Sequence, residues 1–137
     1  SFSLVDQSAR TNLFADVEAN DMGFIVKRPI GNAVWGAAAD PRPYEHIPEY
    51  TMEYTRRAGV MGEEGPLADD PNDRIRLALG FTFAHPEVDV TIVGTQRPHH
   101  MKSNLEMVSE PLGVTEATVS DLHARWDKFA VGWEQRG

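Results

Sequence analysis

The sequence predicts an α/β fold with parallel strands, and three observations carry that expectation. Short apolar runs at Phe24-Ile25-Val26 and at Val88 to Val93 alternate with stretches of helical period. Phe24-Ile25-Val26 is continuous rather than alternating, the pattern of a strand covered on two faces in a parallel sheet, and Val88 to Val93 is rich in β-branched residues. The connection between them bears a helical segment, as a crossover between parallel strands does.

Each element follows from its residues. Ser1 to Gln7, with Phe2, Leu4 and Val5 among polar neighbours, reads as the tail of a strand. Leu13, Phe14 and Val17 then mark one face of a helix over Thr11 to Asn20. Ser8 or Thr11 is placed to cap its start, and Gly23 its end. Phe24-Ile25-Val26 forms a buried strand that Pro29 and Gly31 close.

From about Asn32 to Pro71 the regular signal fades, broken by Pro41, Pro43, Pro48, Gly59, Gly62, Gly65, Pro66 and Pro71, with a weak helical piece at Tyr50 to Ala58. A connection this long is either a lid or binding loop, or a surface excursion with no role.

Asn72 or Asp73 caps a helix running through Ala84, with Ile75, Ala78, Leu79 and Phe83 on one face and Leu77 and Phe81 on another; His85-Pro86 stops it. Val88 to Val93 is the strongest strand, with three Val, one Ile and one Thr in six residues. Gly94-Thr95 turns the chain, Pro98 suits a first helical position, and Met101, Leu105 and Val108 line that helix until Pro111. Thr115 caps the last helix, whose stripe is Val119, Leu122, Trp126, Phe129 and Trp133. Two or three strands cover neither face of a sheet fully and leave its edges open, so the chain reads as part of a larger sheet.

Composition narrows the class. Apolar residues make up 41% of the 137, enough for a core and too many for a disordered chain. No apolar run approaches the roughly 20 residues of a membrane helix. The absence of cysteine excludes a disulfide framework, a thiolate zinc site and a Cys nucleophile. Thirteen Lys and Arg against 21 Asp and Glu give a net charge of −8, which argues against nucleic-acid and anionic-membrane partners. The start carries no secretory pattern and opens Ser-Phe-Ser without Met. The expectation is a processed or excised, soluble, acidic, cytoplasmic chain.

In a parallel α/β sheet, chemistry gathers beyond the carboxyl ends of the strands. Lys27 and Arg28 follow the first apolar strand; Gly94, Thr95, Gln96 and Arg97 follow the second, ahead of Pro98-His99-His100. A glycine, a hydroxyl, a guanidinium and free N–H groups at a helix N-terminus suit a phosphate. The alternative is that Gly94-Thr95 is only a turn. His99 and His100 point about 100° apart on a helix and chelate one metal poorly, so no metal site is expected. His46 and His85 read as surface or turn residues, and His123 as part of the polar side of the last helix. Glu63-Glu64 and Asp69-Asp70 read as solvated loop charge, and the Trp126, Phe129, Trp133 stripe as packing. No Ser/His/Asp set or acid–base machinery is visible, so no catalytic residue is assigned.

Four segments appear in order: Phe2-Ser-Leu-Val-Asp-Gln-Ser-Ala, Gly23-Phe-Ile-Val-Lys-Arg-Pro-Ile, Arg76-Leu-Ala-Leu-Gly-Phe-Thr-Phe-Ala-His-Pro-Glu-Val and Ile92-Val-Gly-Thr-Gln-Arg-Pro-His-His-Met-Lys-Ser-Asn-Leu-Glu. In combination they resemble the C-terminal part of a bacterial-type aldo/keto reductase, over nearly the whole chain and more weakly from about Asn32 to Pro71 and past Pro111. The resemblance implies a (β/α)8 TIM barrel that binds NADPH and reduces aldehydes or ketones. Residues 1–137 would run from the end of the sixth strand to the C-terminal helix, with a long loop over 32–71.

By matching position, Lys27, Arg28, Pro29 and Ile30 would lie along the nicotinamide and pyrophosphate. Gly94, Thr95, Arg97 and His100 would hold the 2′-phosphate, and Asn104 the adenine. Lys27 stands where relatives often carry an aromatic residue for ring stacking, and Ser103 where an acidic one is usual. The family's catalytic Asp, Tyr, Lys and His belong to earlier strands, and Tyr44, Tyr50 and Tyr54 lie in the wrong segment. The chain alone is therefore expected to be inactive. Its partners would be a small-molecule carbonyl substrate and the missing N-terminal part of the barrel, or another chain covering the open sheet edge. The alternatives are a non-enzymatic nucleotide-sensing or regulatory barrel subunit, and an inactive proteolytic remnant.

Overall fold

The computed structural model describes residues 1–36, 49–69, 71–95 and 97–136. The readings at Pro41, Pro43, Tyr44, His46, Pro48, Asp70 and Gln96 lie outside the described residues. In chain order the elements are α1 (Ser8–Asn12), α2 (Phe14–Ala19), β1 (Ile25–Lys27), a 3-10 turn (Gly31–Ala33), α3 (Glu49–Gly62), α4 (Arg74–Phe83), β2 (Val90–Ile92), α5 (Pro98–Val108) and α6 (Glu116–Phe129). The architecture is mixed helix and strand with a small parallel sheet. As expected, the two apolar strands are parallel neighbours, with Ile25 opposite Val90, Val26 opposite Thr91 and Lys27 opposite Ile92.

Burial on both strand faces does not hold within this chain. Val26 is buried, whereas Ile25 (63% exposed), Val90 (48%) and Ile92 (61%) share a face left open to solvent. Side chains alternate across a strand, so one face of this sheet packs on the core and the other meets no cover among the described residues.

The N-terminal segment departs from its sequence reading at several points. Ser1 to Gln7 forms a tight turn rather than a regular strand, closed by Ser3 N donating to Asp6 O at 3.0 Å and Asp6 N to Ser3 O at 3.1 Å. It still lies beside β1, because Phe2 N donates to Lys27 O at 3.3 Å. The single helix over Thr11 to Asn20 is instead α1 and α2, broken at Leu13, where φ is −131°. Neither Ser8 nor Thr11 caps it; Gln7 holds the cap position without a side-chain bond. The left-handed residue after α2 is Asp21 (φ 49°) rather than Gly23, a conformation that Asp tolerates better than most side chains.

The other helices carry the core. α3 extends the weak helical piece at Tyr50–Ala58 and buries Tyr54, Arg57, Ala58 and Met61. α4 starts where Asp73 Oδ1 accepts from Ile75 N at 2.9 Å and Arg76 N at 3.1 Å. It buries Leu77 through Thr82, more than one face, although Phe83 turns out to solvent. α6 begins as expected, with Thr115 Oγ1 accepting from Thr118 N at 3.2 Å.

The expected stripe on α6 is not one helix. α6 ends at Phe129, Gly132 turns at φ 81°, and Trp133 folds back on Trp126 with ring centroids 5.4 Å apart. α5 has Pro98 in its first turn as expected, but no residue of it is buried. Its Met101, Leu105 and Val108 stripe is exposed, so helical period here marks an amphipathic face without a core beneath it. The core itself gathers Phe2, Leu4, Val26, Trp35, Tyr54, Met61, Leu77, Phe81, Leu122 and Trp126.

Candidate functional site

The parallel register sets Lys27 beside Ile92, so the residues after both strands leave from the same end of the sheet. That end carries Lys27, Arg28, Pro29 and Ile30 from one strand and Gly94, Thr95 and Arg97 from the other, with α5 starting just beyond. Lys27 and Arg97 are exposed, and neither side chain has a partner among the described residues. Arg97 occupies the position before α5, and its side chain makes no capping hydrogen bond to that helix. Pro98 has no N–H, and His100 N and Met101 N both donate to Arg97 O, so the first turn of α5 keeps the His99 N–H and the positive end of its dipole for an anion. A Cβ at Gly94 would meet nothing within 4 Å, so the backbone there is open to close approach.

Other residues of the expected set are engaged elsewhere. Thr95 Oγ1 accepts from Arg97 N at 3.2 Å, closing a short turn of its own. Arg28 takes a left-handed conformation (φ 62°) and turns its guanidinium over the Tyr50 ring, 3.7 Å from the centroid. Its Nη1 also donates to Arg136 O at 3.1 Å. Stacking and hydrogen bonding thus commit this cation to α3 and the C-terminal tail. Pro29 is buried, with its carbonyl accepting from Thr82 Oγ1 at 3.3 Å, and Ile30 packs against the core. His100 is exposed, with its ring 4.4 Å from that of His99, and Asn104 is half-buried further along α5.

Two polar clusters escape a reading of the sequence. The first surrounds Asp6, which is fully buried. Its carboxylate accepts from Tyr54 Oη at 3.2 Å, Ser8 Oγ at 3.1 Å and Arg136 N at 3.0 Å. Arg57, also fully buried, lies 3.7 Å away and donates to Glu53 Oε1 at 2.9 Å and Glu134 O at 2.5 Å. Burial and the Asp6 charge push the Tyr54 hydroxyl above its ordinary value. The cluster joins the first turn, α3 and the tail, and its closure to solvent makes it a structural tie. Its members come from three distant segments, so local spacing gives no sign of it.

The second cluster is His85 with His123, whose Nε2 atoms stand 2.9 Å apart. His85 is buried, not a surface residue, and His123 is half-covered rather than on a free polar side. Both imidazoles are pushed below their ordinary value by burial, His123 to about 4. Among the described residues, no group of three or more His, Cys, Asp or Glu side chains is placed to hold a metal ion. The acidic pair Glu63-Glu64 is exposed, with Glu64 ion-paired to Lys128 at 2.6 Å.

An open cleft of about 540 Å3 lies at the start of α4, lined by Ala33, Asn72, Asp73, Arg74 and Ile75. The Asp73 carboxylate already occupies that helix N-terminus, which leaves no anion site there. No helix among the described residues is long and apolar enough to cross a membrane. Comparison with known protein families, curated proteins and solved structures finds no match.

Proposed function

We propose that this chain is the C-terminal part of a (β/α)8 aldo/keto reductase barrel and supplies the phosphate-binding end of its NADPH site. The observation that carries the reading is the parallel register of β1 and β2, which brings Lys27 and the residues Gly94, Thr95 and Arg97 to one sheet end beside the start of α5. The donor set suits a phosphate: two cations without partners among the described residues, an open glycine backbone and a helix start. When bound, NADPH would supply the hydride for carbonyl reduction. Lys27, Gly94, Arg97 and His100 would hold its phosphates, and Asn104 its adenine.

The exposed face of Ile25, Val90 and Ile92 supports the same reading, since it offers an apolar surface to further strands or to the barrel interior. Arg28 fits less directly, because Tyr50 and the tail already hold its guanidinium. In this proposal Arg28 orders the strand end and Lys27 faces the cofactor. The protonating tyrosine and its partners would come from the rest of the barrel, so the chain alone is inactive.

Titration of NADPH and NADH against the complete barrel, wild type and Arg97→Ala, tests the reading. Loss of one charge-assisted bond, about 1.5–3 kcal/mol, corresponds to roughly tenfold to a hundredfold weaker NADPH binding. NADH, which lacks the 2′-phosphate, is expected to change little. Equal weakening of both cofactors, or of neither, overturns the assignment of this turn to the 2′-phosphate.

A further inference from the structure

His85 and His123 come from different elements, and each imidazole has its other surroundings fixed. His85 closes the end of α4, where its Nδ1 contacts Phe81 O at 2.8 Å. A carbonyl accepts only, so Nδ1 carries the proton and Nε2 presents a bare lone pair. His123 projects from the middle of α6 and brings its Nε2 to 2.9 Å from that lone pair. The ring centroids are 5.1 Å apart, close to the 2.9 Å contact plus the two ring radii, so the nitrogens meet nearly head-on.

This geometry selects a shared proton over a shared metal. A zinc ion between head-on nitrogens needs about 4 Å, twice its 2.0–2.1 Å bond. His123 Nε2–H therefore donates to His85 Nε2, and the seam is enclosed by Phe2, Phe14 and Phe81.

We propose that the His85–His123 contact is a proton-sensitive latch holding α6 against the end of α4, closed when both rings are neutral and opened by acid. A first added proton has only His123 Nδ1 to occupy, in a half-buried ring near the Arg10 guanidinium. A second must take His85 Nε2, which sets two N–H donors face to face and breaks the contact. The charges facing the pair are Arg10 of α1, which opposes both protonations, Asp127 of α6, which favours that of His123, and Glu87, which favours that of His85. Arg10 and Asp127 are ion-paired with each other, so they partly cancel.

Folded-state values below the ordinary imidazole value of about 6.5 mean that the unfolded chain takes up protons first as pH falls. The contribution of the latch is then complete above about 6.5 and is lost as pH falls toward about 4.

Imidazole NMR on the full 137-residue chain tests this directly. The expected result is a His85 ring protonated at Nδ1 at neutral pH, with both rings titrating below about 6.5 in linked steps. Independent titration of the two rings near about 6.5, or a His85 proton on Nε2, overturns the proposal. His123→Gln keeps a donor for His85 and removes the titration of the His123 ring. The wild-type unfolding constant is expected to rise between pH 7 and about 4.5 by roughly tenfold to a hundredfold more than that of the variant. Identical acid profiles overturn it, and should the variant fail to fold, the wild-type NMR titration decides alone.

Discussion

Gly80→Ala is expected to destabilise the chain, against the usual effect of removing a glycine from a helix. Gly80 lies inside α4 and is buried, and its absent side chain makes room for the segment entering α6. An added Cβ would stand 2.8 Å from Val114 Cβ and 3.4 Å from Leu112 Cβ, with a Val114 methyl nearer still. Helix propensity favours Ala over Gly by about 0.8–1.0 kcal/mol. Overpacking of a filled site costs about 1–3 kcal/mol. α4 cannot slide to relieve the clash, because Asp73 caps it and Leu77 and Phe81 anchor its buried side. The Leu112–Val114 segment must move instead, which puts the overpacking cost toward its upper end, so packing outweighs propensity and the net loss is up to about 2 kcal/mol.

Urea unfolding reads this as a lower midpoint at unchanged slope. Gly59→Ala in α3 is the matched control, since a Cβ there meets nothing within 4 Å. It should stabilise by about 0.5–1 kcal/mol. Val114→Ala, introduced into the Gly80→Ala background, should cost far less than it does in the wild type. Stabilisation by Gly80→Ala comparable with that from Gly59→Ala would refute the reasoning.

Three further outcomes are expected. Asp73→Ala removes the cap that Ile75 N and Arg76 N share, and should cost about 0.5–2 kcal/mol in thermal or urea unfolding, with Asp73→Asn retaining most of the stability. Arg125→Met deletes a buried guanidinium that donates to Met61 O, Gly65 O and Pro66 O and pairs with Asp121. The orphaned carbonyls should cost about 2–4 kcal/mol, read by the same assay. Glu53 is held at about 2 by its hydrogen bond to Arg56 first and to Arg57 next. Stability from that carboxylate is complete above its ordinary value of 4.5 and is lost as pH falls toward about 2, so carboxyl NMR should find a midpoint near 2.

Local chemistry is the part of the fold that one sequence exposes best. The Asp73 and Thr115 caps, Pro98 at a helix start and the parallel pairing of the two apolar runs each rest on a few adjacent residues, and each was legible. The errors arise where tertiary packing decides. Periodicity at Met101, Leu105 and Val108 identifies the helix but not whether a core lies beneath it, and in α5 none of the described residues supplies one. The 3,4 spacing that reaches Trp133 continues past the true end of α6, because a side chain that folds back can fill the same stripe. The break at Leu13 carries no proline or glycine to announce it.

The candidate site divides along the same line. Residue type and position in the chain were enough to place Lys27, Arg28, Gly94, Thr95 and Arg97 at strand ends, because parallel strands deliver their loops to a common edge. Which of those cations stays available is a pairing question, and its answer lies far away in the sequence. Tyr50 and the carbonyl of Arg136 take Arg28, whereas Lys27 and Arg97 keep their side chains without partners among the described residues. The His85–His123 and Asp6–Arg57 clusters show the same dependence, since each forms only when segments 38 and 51 positions apart meet. In a chain of net charge −8, Arg97 is an exposed cation without a side-chain partner among the described residues, next to the start of α5. That is why Arg97, rather than the better-ordered Arg28, carries the test of the proposed site.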